Sequence, residues 1–456
     1  MSTPTPQLTG PRALAALADL GAASIAAGVL ARRRPVVRIL ERLQADTRAI
    51  TRLHQLRRQF GSGPVELAIP GRRIIVVLDP SDVAEVLAGA PTPFHPANWE
   101  KRKALEWFQP HGVLISQGPI RQQRRAVNEA ALDTGSDLHR LAPSFTAVIA
   151  EEAQLLIDEA LATGRLKSAQ LMTAWWKMVR RVMVGRSARE DDAITDELLR
   201  LRRAGNWSFL SLPHYRRRSR FLEHLYRYAE DPEPGTVVSA LAEVPAAGAV
   251  DPVGQMPQWL FAFDAAGMAL CRALALLATH PEQRAKALAD LGSPAEPALR
   301  PYLRACMLES VRIWPTTPTI LRDTTCETRW RKGADQFSLA AGAGLMIVTP
   351  AFHRDEQLLP FAHTFTPEIW LDGRAQQYPQ LVPFSADPAE CPGRHLVLLV
   401  TSTLLAALLD SSNVELTSTP TLSPQVPLPM TLNQLTLKFA VSARRSAAAL
   451  SGGQQA

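Results

Sequence analysis

The stretch PFSADPAECPGRHLV, residues 383–397, joins a loop rich in proline and aspartate to a strongly apolar helical pattern. The helix is predicted to begin at Cys391. A thiolate at a helix N-terminus is stabilised by free backbone N–H groups and by the helix dipole, which lower the pKa of the thiol. The pattern therefore favours Cys391 as a nucleophile or a metal ligand. A buried structural cysteine remains an open alternative for the stretch taken alone.

The composition is that of a globular chain with a large core. Of 456 residues, 46% are hydrophobic and 20% are charged. Four cysteines without a C-x-x-C spacing indicate free thiols and an intracellular, cytoplasmic setting. The net charge of +7 does not by itself indicate nucleic-acid binding, and we expect none. Arginine clusters at 31–35, 121–125 and 215–220 are most simply solvated, and an acidic partner protein is the alternative.

The order of patterns predicts a mainly α fold with a minor β part. VELAIPGRRIIVVLD, residues 65–79, predicts a hairpin that turns at Pro70 and Gly71. A long apolar helix is predicted over 256–279, ending before His280 and Pro281. Residues 13–31 are apolar but alanine-rich and contain Asp19, so we expect a surface helix and at most peripheral membrane contact.

The cysteine stretch resembles the haem-binding loop of the cytochrome P450 family, F-x-x-G-x-x-x-C-x-G. Phe384, Cys391 and Gly393 match that pattern, whereas Asp387 replaces its first glycine and Ala389 replaces a frequent propionate-binding residue. The resemblance implies that haem b binds here with the Cys391 thiolate on its iron. Gly393 would let the backbone approach the haem, and Phe384 would shield the sulfur.

Further elements of the same family occur in the same order. ESVRIWP supplies Glu309 and Arg312 as the E-x-x-R pair, whose side chains share one helix face. Ile369 stands where the family has the third member of that network, so the network must be closed by another group. The resemblance spans about residues 45–445. It implies a single large haem domain at 41–446, preceded by a tail with a surface helix at 1–40 and followed by a disordered tail at 447–456.

Basic side chains are expected at the haem propionates. GPIRQQRRAVNEAA resembles the family's W/H-x-x-x-R helix, with Arg124 at the arginine and Ile120 at the aromatic position. Arg322 matches the basic residue of the strand after the E-x-x-R helix. Arg121 is kept in the cofactor-binding set, although its cluster is also compatible with a solvated face or a partner surface.

The family's A-G-x-D/E-T element falls on FAFDAAG within the long apolar helix. Asp264 matches the acid, and Ala265 replaces the threonine that relays protons to bound oxygen. We take Asp264 as the proton donor, with a structural acid as the alternative. The resemblance further implies a substrate pocket lined by Phe94, Phe108, Ile115, Phe261, Ala262 and Ile320.

These features predict a haem-thiolate monooxygenase that hydroxylates an apolar small molecule with O2. Electrons would come from a separate donor, such as a ferredoxin and its reductase, because the chain has no cysteine cluster or surplus length for a redox module. The alanine at position 265 leaves open a peroxide-using enzyme, an O2-independent haem enzyme and a non-catalytic haem protein that binds a ligand.

Overall fold

The computed structural model describes residues 5–330 and 336–444, without the side chains of Trp330 and Phe337. The predicted disordered tail at 447–456 lies outside these residues. The described helices form most of the molecule: α1 (Gly10–Ala27), α2 (Arg34–Arg42), α3 (Thr47–Phe60), α4 (Pro80–Ala88), α5 (Trp99–Leu105), α6 (Gly118–Ala131), α7 (Ala142–Thr163), α8 (Ser168–Met183), α9 (Asp192–Gly205), α10 (Tyr215–Glu230), α11 (Val237–Ala242), α12 (Met256–Thr279), α13 (Pro281–Ala289), α14 (Pro301–Ile313), α15 (Thr349–His353) and α16 (Arg394–Ser411).

The β part is minor, as predicted, and forms a larger sheet with two small ones. The strands are β1 (Gln7–Thr9), β2 (Val65–Ile69), β3 (Arg72–Val76), β4 (Phe94–His95), β5 (Arg165–Lys167), β6 (Thr319–Thr324), β7 (Thr328–Trp330), β8 (Phe337–Leu339), β9 (Gly344–Val348), β10 (Ser412–Leu416) and β11 (Lys438–Ala443). The larger sheet has the order β1-β2-β3-β9-β6-β4, and the small sheets are β10-β11-β5 and β7-β8.

The hairpin predicted at Pro70 and Gly71 is confirmed. Strands β2 and β3 pair antiparallel from Val65 with Val76 to Ile69 with Arg72. Gly71 has φ +77°, a left-handed backbone conformation that a side chain would strain. The turn therefore fixes the register between β2 and β3 in the larger sheet.

The segment 1–40, predicted as a tail with a surface helix, contains helix α1, and its described residues also contact the main fold. Strand β1 pairs in parallel with β2 and extends the larger sheet at its edge. Helix α1 then buries Ala13, Ala16 and Leu20 in the core that covers the sheet. Hydrogen bonding by β1 and burial by α1 join this segment to the main domain, which a sequence rich in alanine did not indicate.

Helices α12 and α16 form the centre of the helical core. The bounds of α12 match the predicted 256–279. The segment 248–279 and α16 are each long and apolar enough to cross a membrane, but 67% and 78% of their most apolar windows are buried within the fold. Their apolar character is therefore accounted for by packing against other helices.

Residues 382–393, which we call the cysteine loop, lead into α16. A buried ion pair joins α14 to the segment that precedes this loop. The Nε and Nη2 atoms of Arg312 donate to the two carboxylate oxygens of Glu309 at 2.8 and 2.7 Å, and neither side chain is exposed to solvent. The Arg312 guanidinium also donates to the backbone carbonyls of His353, Ala362 and Thr364. Every one of these groups lies on the long segment between β9 and α16.

Two further donors of the same segment hydrogen-bond to the Glu309 carboxylate. The Thr366 backbone N–H and the Trp370 indole N–H donate to it at 3.0 and 2.9 Å. Trp370 thus supplies the contact that Ile369 cannot make. Burial lowers the pKa of His353 to about 3, so its neutral ring accepts a hydrogen bond from the Val382 N–H at the start of the cysteine loop.

Replacing Arg312 by alanine is predicted to lower the free energy of unfolding by about 3–5 kcal/mol, because Glu309 would become a buried charge without its partner. Urea unfolding followed by circular dichroism measures the change. Arg374→Ala is the matched control, since Arg374 pairs with Asp372 where both side chains are over 40% exposed. We expect that control to cost less than about 1 kcal/mol. Equal effects of the two substitutions would contradict a structural role for the pair.

Candidate functional site

The cysteine loop folds back on itself before α16. The Cys391 N–H donates to the carbonyl of Phe384 at 3.0 Å, and the Phe384 ring packs against the helical core. Helix α16 begins at Arg394 with Gly393 as the residue before its first turn. The prediction that the helix begins at Cys391 is therefore wrong by three residues, because a short turn separates the cysteine from the helix.

Burial raises the pKa of the partly buried Cys391 thiol above its ordinary value. The Gly393 N–H and the positive charge of Arg125 act in the opposite direction but do not outweigh burial. The expected lowering by the backbone N–H groups is present, but burial has the larger effect on the pKa. A metal cation on the sulfur is what would hold the thiolate form here, because coordination deprotonates a thiol.

Helix α6 and the turn that follows it contact this loop. An Arg125 guanidinium nitrogen donates to the Glu390 carbonyl at 2.6 Å, and the Thr134 hydroxyl donates to the Pro392 carbonyl at 2.8 Å. A Cβ added at Gly393 would meet only Leu132, at an ordinary contact distance of 3.8 Å. The protein itself leaves room at Gly393, so a side chain is disfavoured there only if a bound group lies against it.

A group of cations faces one space between α6, β6 and the loop. Arg121 and Arg322 are buried, and the Nε atom of each is enclosed without a hydrogen-bond partner among the described residues. One Arg322 nitrogen donates to the Ser385 hydroxyl of the cysteine loop at 3.2 Å. Burial, followed by the charge of Arg121, lowers the pKa of Arg322 to about 10. Neither guanidinium group forms an ion pair within the described part of the chain.

The same space is bordered by His95 and Lys101. Burial and the nearby arginines lower the pKa of His95 to about 4, and the pKa of Lys101 is also lowered by burial and by Arg322. The neighbouring acids Glu100 and Asp323 are bound to Arg72 instead. The arrangement is suited to a bound group that carries more than one negative charge.

Arg124 is placed differently from its predicted role. Its guanidinium donates to the Val250 carbonyl at 3.0 Å and to the Ser116 hydroxyl at 2.8 Å. These contacts tie α6 to the segment before α12. Arg121 and Arg322, rather than Arg124, each keep an enclosed nitrogen without a hydrogen-bond partner among the described residues.

One stripe of α12 is partly exposed although the helix is otherwise buried. Gln258, Phe261, Ala262 and Ala265 are spaced by three or four residues and share one face. The edge of the Phe108 ring meets Phe261 with 5.7 Å between centroids. Of the other predicted pocket residues, Ile115 packs against the helical core, whereas Phe94 and Ile320 lie in the core of the sheet. Ile320 shares its strand face with Arg322.

Asp264 forms an ion pair that the sequence did not indicate. A guanidinium nitrogen of Arg202, on α9, donates to its carboxylate at 2.5 Å. The same guanidinium donates to the Leu30 carbonyl at 2.7 Å and lies 4.7 Å from the centre of the Phe261 ring. Arg202 is nearly fully buried. Asp264 therefore links α12 to α9 and to the segment after α1.

The comparisons with known proteins agree with this architecture. The cytochrome P450 family model matches residues 262–439, which include α14 and the cysteine loop. The chain is 28% identical to cytochrome P450 4g15 of Drosophila melanogaster over 153 residues, which cover 31% of this chain and 26% of that protein. It is 29% identical to cyclooctat-9-en-7-ol 5-monooxygenase of Streptomyces melanosporofaciens over 144 residues, or 29% of this chain and 30% of that protein.

Similarity to solved structures extends over most of the fold. A cytochrome P450 described as CYP102L1 aligns with a TM-score of 0.69 and 18% identity, covering 87% of this chain and 94% of the other. Cyanobacterial CYP120A1 with bound retinoic acid aligns with a TM-score of 0.69 and 17% identity, covering 86% and 94%. The matched sequence segments span only about a quarter to a third of these curated relatives' length.

Residues 262–439 match the cytochrome P450 family, and the fold over most of the chain is that of solved cytochrome P450 structures. The described residues fit a haem group on their own chemistry: Cys391 would supply a thiolate for iron, Gly393 leaves space beside it, and the enclosed guanidinium groups of Arg121 and Arg322 would pair with two propionates.

Arg121→Gln is predicted to weaken haem retention by about tenfold or more, since one charge-assisted pair contributes roughly 1.5–3 kcal/mol. The same substitution should leave the haem-free protein equally or more stable, because it removes repulsion with Arg322. Transfer of haem to apomyoglobin and unfolding of the haem-free protein measure the two effects.

Arg124→Gln is the matched control on the same helix. It should destabilise the haem-free protein, because it breaks the contacts to Val250 and Ser116. If Arg124→Gln accelerated haem loss while Arg121→Gln did not, the assignment of Arg121 to the propionates would be incorrect.

Proposed function

We propose that this protein is a monooxygenase that hydroxylates an apolar small molecule with O2 and electrons from a separate donor. The observation that carries the proposal is the position of Cys391 beside a buried, unpaired cation cluster, with an apolar face of α12 partly exposed within the same helical core. When bound, haem would supply the oxygen-activating chemistry through its thiolate-ligated iron.

The partly exposed stripe of α12 is suited to bind a mainly apolar substrate. Phe261, Ala262 and Ala265 offer carbon surface, and Phe108 extends it. The one polar member is Gln258, whose carbonyl oxygen accepts a hydrogen bond from the Gln109 amide at 2.5 Å. Gln258 lies about 10 Å along the helix from Ala265, at 1.5 Å per residue. An apolar molecule with one hydrogen-bonding group at its far end would match this face.

Proton supply on this face differs from the family pattern. No serine or threonine occurs from Met256 to Ala278. Asp264 can hold a proton acceptor or donor in place, but its carboxylate is bound to Arg202. An O2-dependent reaction therefore needs an ordered water or a substrate hydroxyl that carries protons from Asp264 to the face of α12 with Ala265. These same observations favour a peroxide-using enzyme as the second candidate, because peroxide brings its own protons and electrons.

An electron donor is proposed to dock on the side of the cysteine loop. Asp387 and Pro388 of that loop are exposed, and Arg125 and Arg394 lie beside it. Among the arginine clusters, 121–125 is the one that contacts this loop. An acidic ferredoxin is the kind of partner that this surface fits. Cysteines 271 and 306 are buried free thiols, which is compatible with the proposed cytoplasmic location.

The proposed ligation and activity are tested on the haem-loaded protein. The reduced protein with carbon monoxide should show the strongly red-shifted Soret band of thiolate ligation, and Cys391→His should move the band to the position of histidine-ligated haem. Cys306→Ser is the matched control, because Cys306 is buried within α14. NADPH, a ferredoxin and its reductase should then yield hydroxylated product from an apolar panel. An unshifted band would contradict the ligation, and product formation with peroxide alone would select the second candidate.

Ala265→Thr is predicted to raise the fraction of consumed NADPH that appears as product, because the hydroxyl would hold a proton-relaying water on the stripe of α12. Peroxide release and product are measured together. Ala266→Thr is the matched control, since Ala266 is buried on the neighbouring face. Equal coupling in Ala265→Thr and the parent protein would show that this position does not adjoin the reacting oxygen.

A further inference from the structure

A mixed group of possible metal ligands lies between α3 and the turn that follows α15. His54, Asp355 and Glu356 each offer one ligand atom, and these atoms all lie within 4.8 Å of one another. Within the described part of the chain, no other three histidine, cysteine, aspartate or glutamate side chains meet this distance. The group shares no residue with the cysteine loop or with the stripe of α12, so the proposed function does not use it.

Two of these ligand atoms are already held close together by the fold. His54 and Asp355 are buried, and the His54 Nε2 atom lies 2.9 Å from Oδ1 of Asp355. The N–H groups of Leu358 and Leu359 donate to the Asp355 carbonyl at 3.1 and 2.8 Å, which closes a turn around this residue. Ligand atoms on a tetrahedral zinc ion, with bonds of about 2.1 Å, lie roughly 3.4 Å apart. The pair therefore needs little movement to share one ion.

The third side chain is free to complete the set. The Glu356 side chain is 52% exposed, and its carboxylate lies 3.6 Å from Nε2 of His363, which is too long for a hydrogen bond. A rotation of this exposed side chain towards Asp355 brings a second carboxylate to the same point. Its exposure also gives a cation access from solvent, which the buried pair alone would not allow.

The charges of the group favour a cation. Asp355 and Glu356 are both acidic, and Arg57 is the cation in direct contact with this pair of residues, on Oδ2 of Asp355. The Arg57 Nε atom also donates to the Leu78 carbonyl at 2.7 Å, so its guanidinium is held on that side of the carboxylate. Oδ1, the oxygen that faces His54, is left for a metal ion.

His363 is excluded as a further ligand by its own hydrogen bond. Its Nδ1 atom accepts from Nη2 of Arg354 at 3.0 Å, so the neutral ring carries its hydrogen on Nε2, the atom that faces Glu356. This ring can donate to the Glu356 carboxylate and orient it, but it has no free lone pair for a metal. The ligand set is therefore one imidazole and two carboxylates, with water in any remaining position.

We propose that His54, Asp355 and Glu356 bind a divalent transition metal ion, for which zinc is the probe. One imidazole with two carboxylates suits zinc, whereas calcium and magnesium prefer oxygen ligands alone. The ion takes the place of the hydrogen between His54 and Asp355, and the imidazole hydrogen then lies on Nδ1. Arg57 orients the Asp355 carboxylate through its second oxygen, as groups outside the ligand set commonly do.

The location of this site gives the ion a structural effect. Helix α3, which carries His54, packs in the core that covers the larger sheet. Asp355 follows His353 by two residues, and the ring of His353 accepts the hydrogen bond from Val382 in the cysteine loop. The ion would thus link α3 to the segment that positions the loop, and its binding would stabilise the folded chain. Metal binding does not depend on the proposed function.

Zinc titration of the full, haem-loaded chain, after dialysis against a chelator, tests the proposal. Calorimetry should show one zinc ion bound per chain in the micromolar range or tighter, with magnesium at least about 100-fold weaker. Zinc-edge X-ray absorption should show nitrogen and oxygen ligands at about 2.0–2.2 Å and no sulfur at about 2.3 Å. Zinc in excess should also raise the temperature of thermal unfolding by a few degrees.

Glu356→Gln is the decisive variant, because this exposed side chain can be changed without breaking a buried contact. It should weaken zinc binding by at least about tenfold and remove the thermal shift, while the metal-free protein stays as stable as the parent. Asp137→Asn is the matched control, since Asp137 is an exposed carboxylate 3.3 Å from Nδ1 of His395, outside the group. It should bind zinc like the parent protein.

The proposal is overturned if the parent protein binds no zinc at millimolar concentration, or if Glu356→Gln and Asp137→Asn bind zinc equally well. A sulfur ligand in the absorption spectrum would also overturn it, because the ion would then lie at a cysteine. The carbon monoxide spectrum of each variant reports on the haem site separately. Failure of the proposed monooxygenase activity would therefore leave the zinc result unchanged, and the two proposals can fail independently.

Discussion

The buried Glu309–Arg312 pair is the interaction on which the rest of the site depends. The guanidinium of Arg312 and the carboxylate of Glu309 bind backbone carbonyls and N–H groups of one long irregular segment. His353 links this network to the cysteine loop. Its carbonyl accepts a hydrogen bond from Arg312, and its ring accepts one from the Val382 N–H. The position of Cys391 is thus set from α14, through hydrogen bonds that bulk water cannot replace.

Sequence patterns were sufficient where one periodicity dominates. The bounds of α12 and the hairpin at Gly71 follow from apolar runs and turn residues, and the structure confirms both. The general class, mainly helical with a minor β part, is confirmed by the same reasoning and by the similarity to P450 structures. Local chemistry is less accessible: the free energy of burial, which raises the pKa of Cys391, depends on everything packed around the thiol rather than on its helix.

Adjacent arginines on α6 show why side-chain roles were harder to predict. Arg121 and Arg124 lie three residues apart on one buried face of α6, so the motif alone did not show which of them is bound to Val250 and Ser116 and which has a nitrogen without a partner. The Arg202–Asp264 pair presented a different difficulty, because 62 residues separate its members and neither lies in a motif that names the other. The pairing of β1 with β2 was not predicted, because a strand of three residues shows too little alternation to be recognised.

The enclosed cations beside the cysteine loop link the stability of the fold to the binding of an anionic group. A bound anionic cofactor would offset the burial of these cations, so its binding free energy would add to the free energy of folding. The amount of folded protein in a cell would then depend partly on the supply of that cofactor, because proteases remove unfolded chains more readily. Chains with an occupied site would therefore persist longer than chains with an empty one.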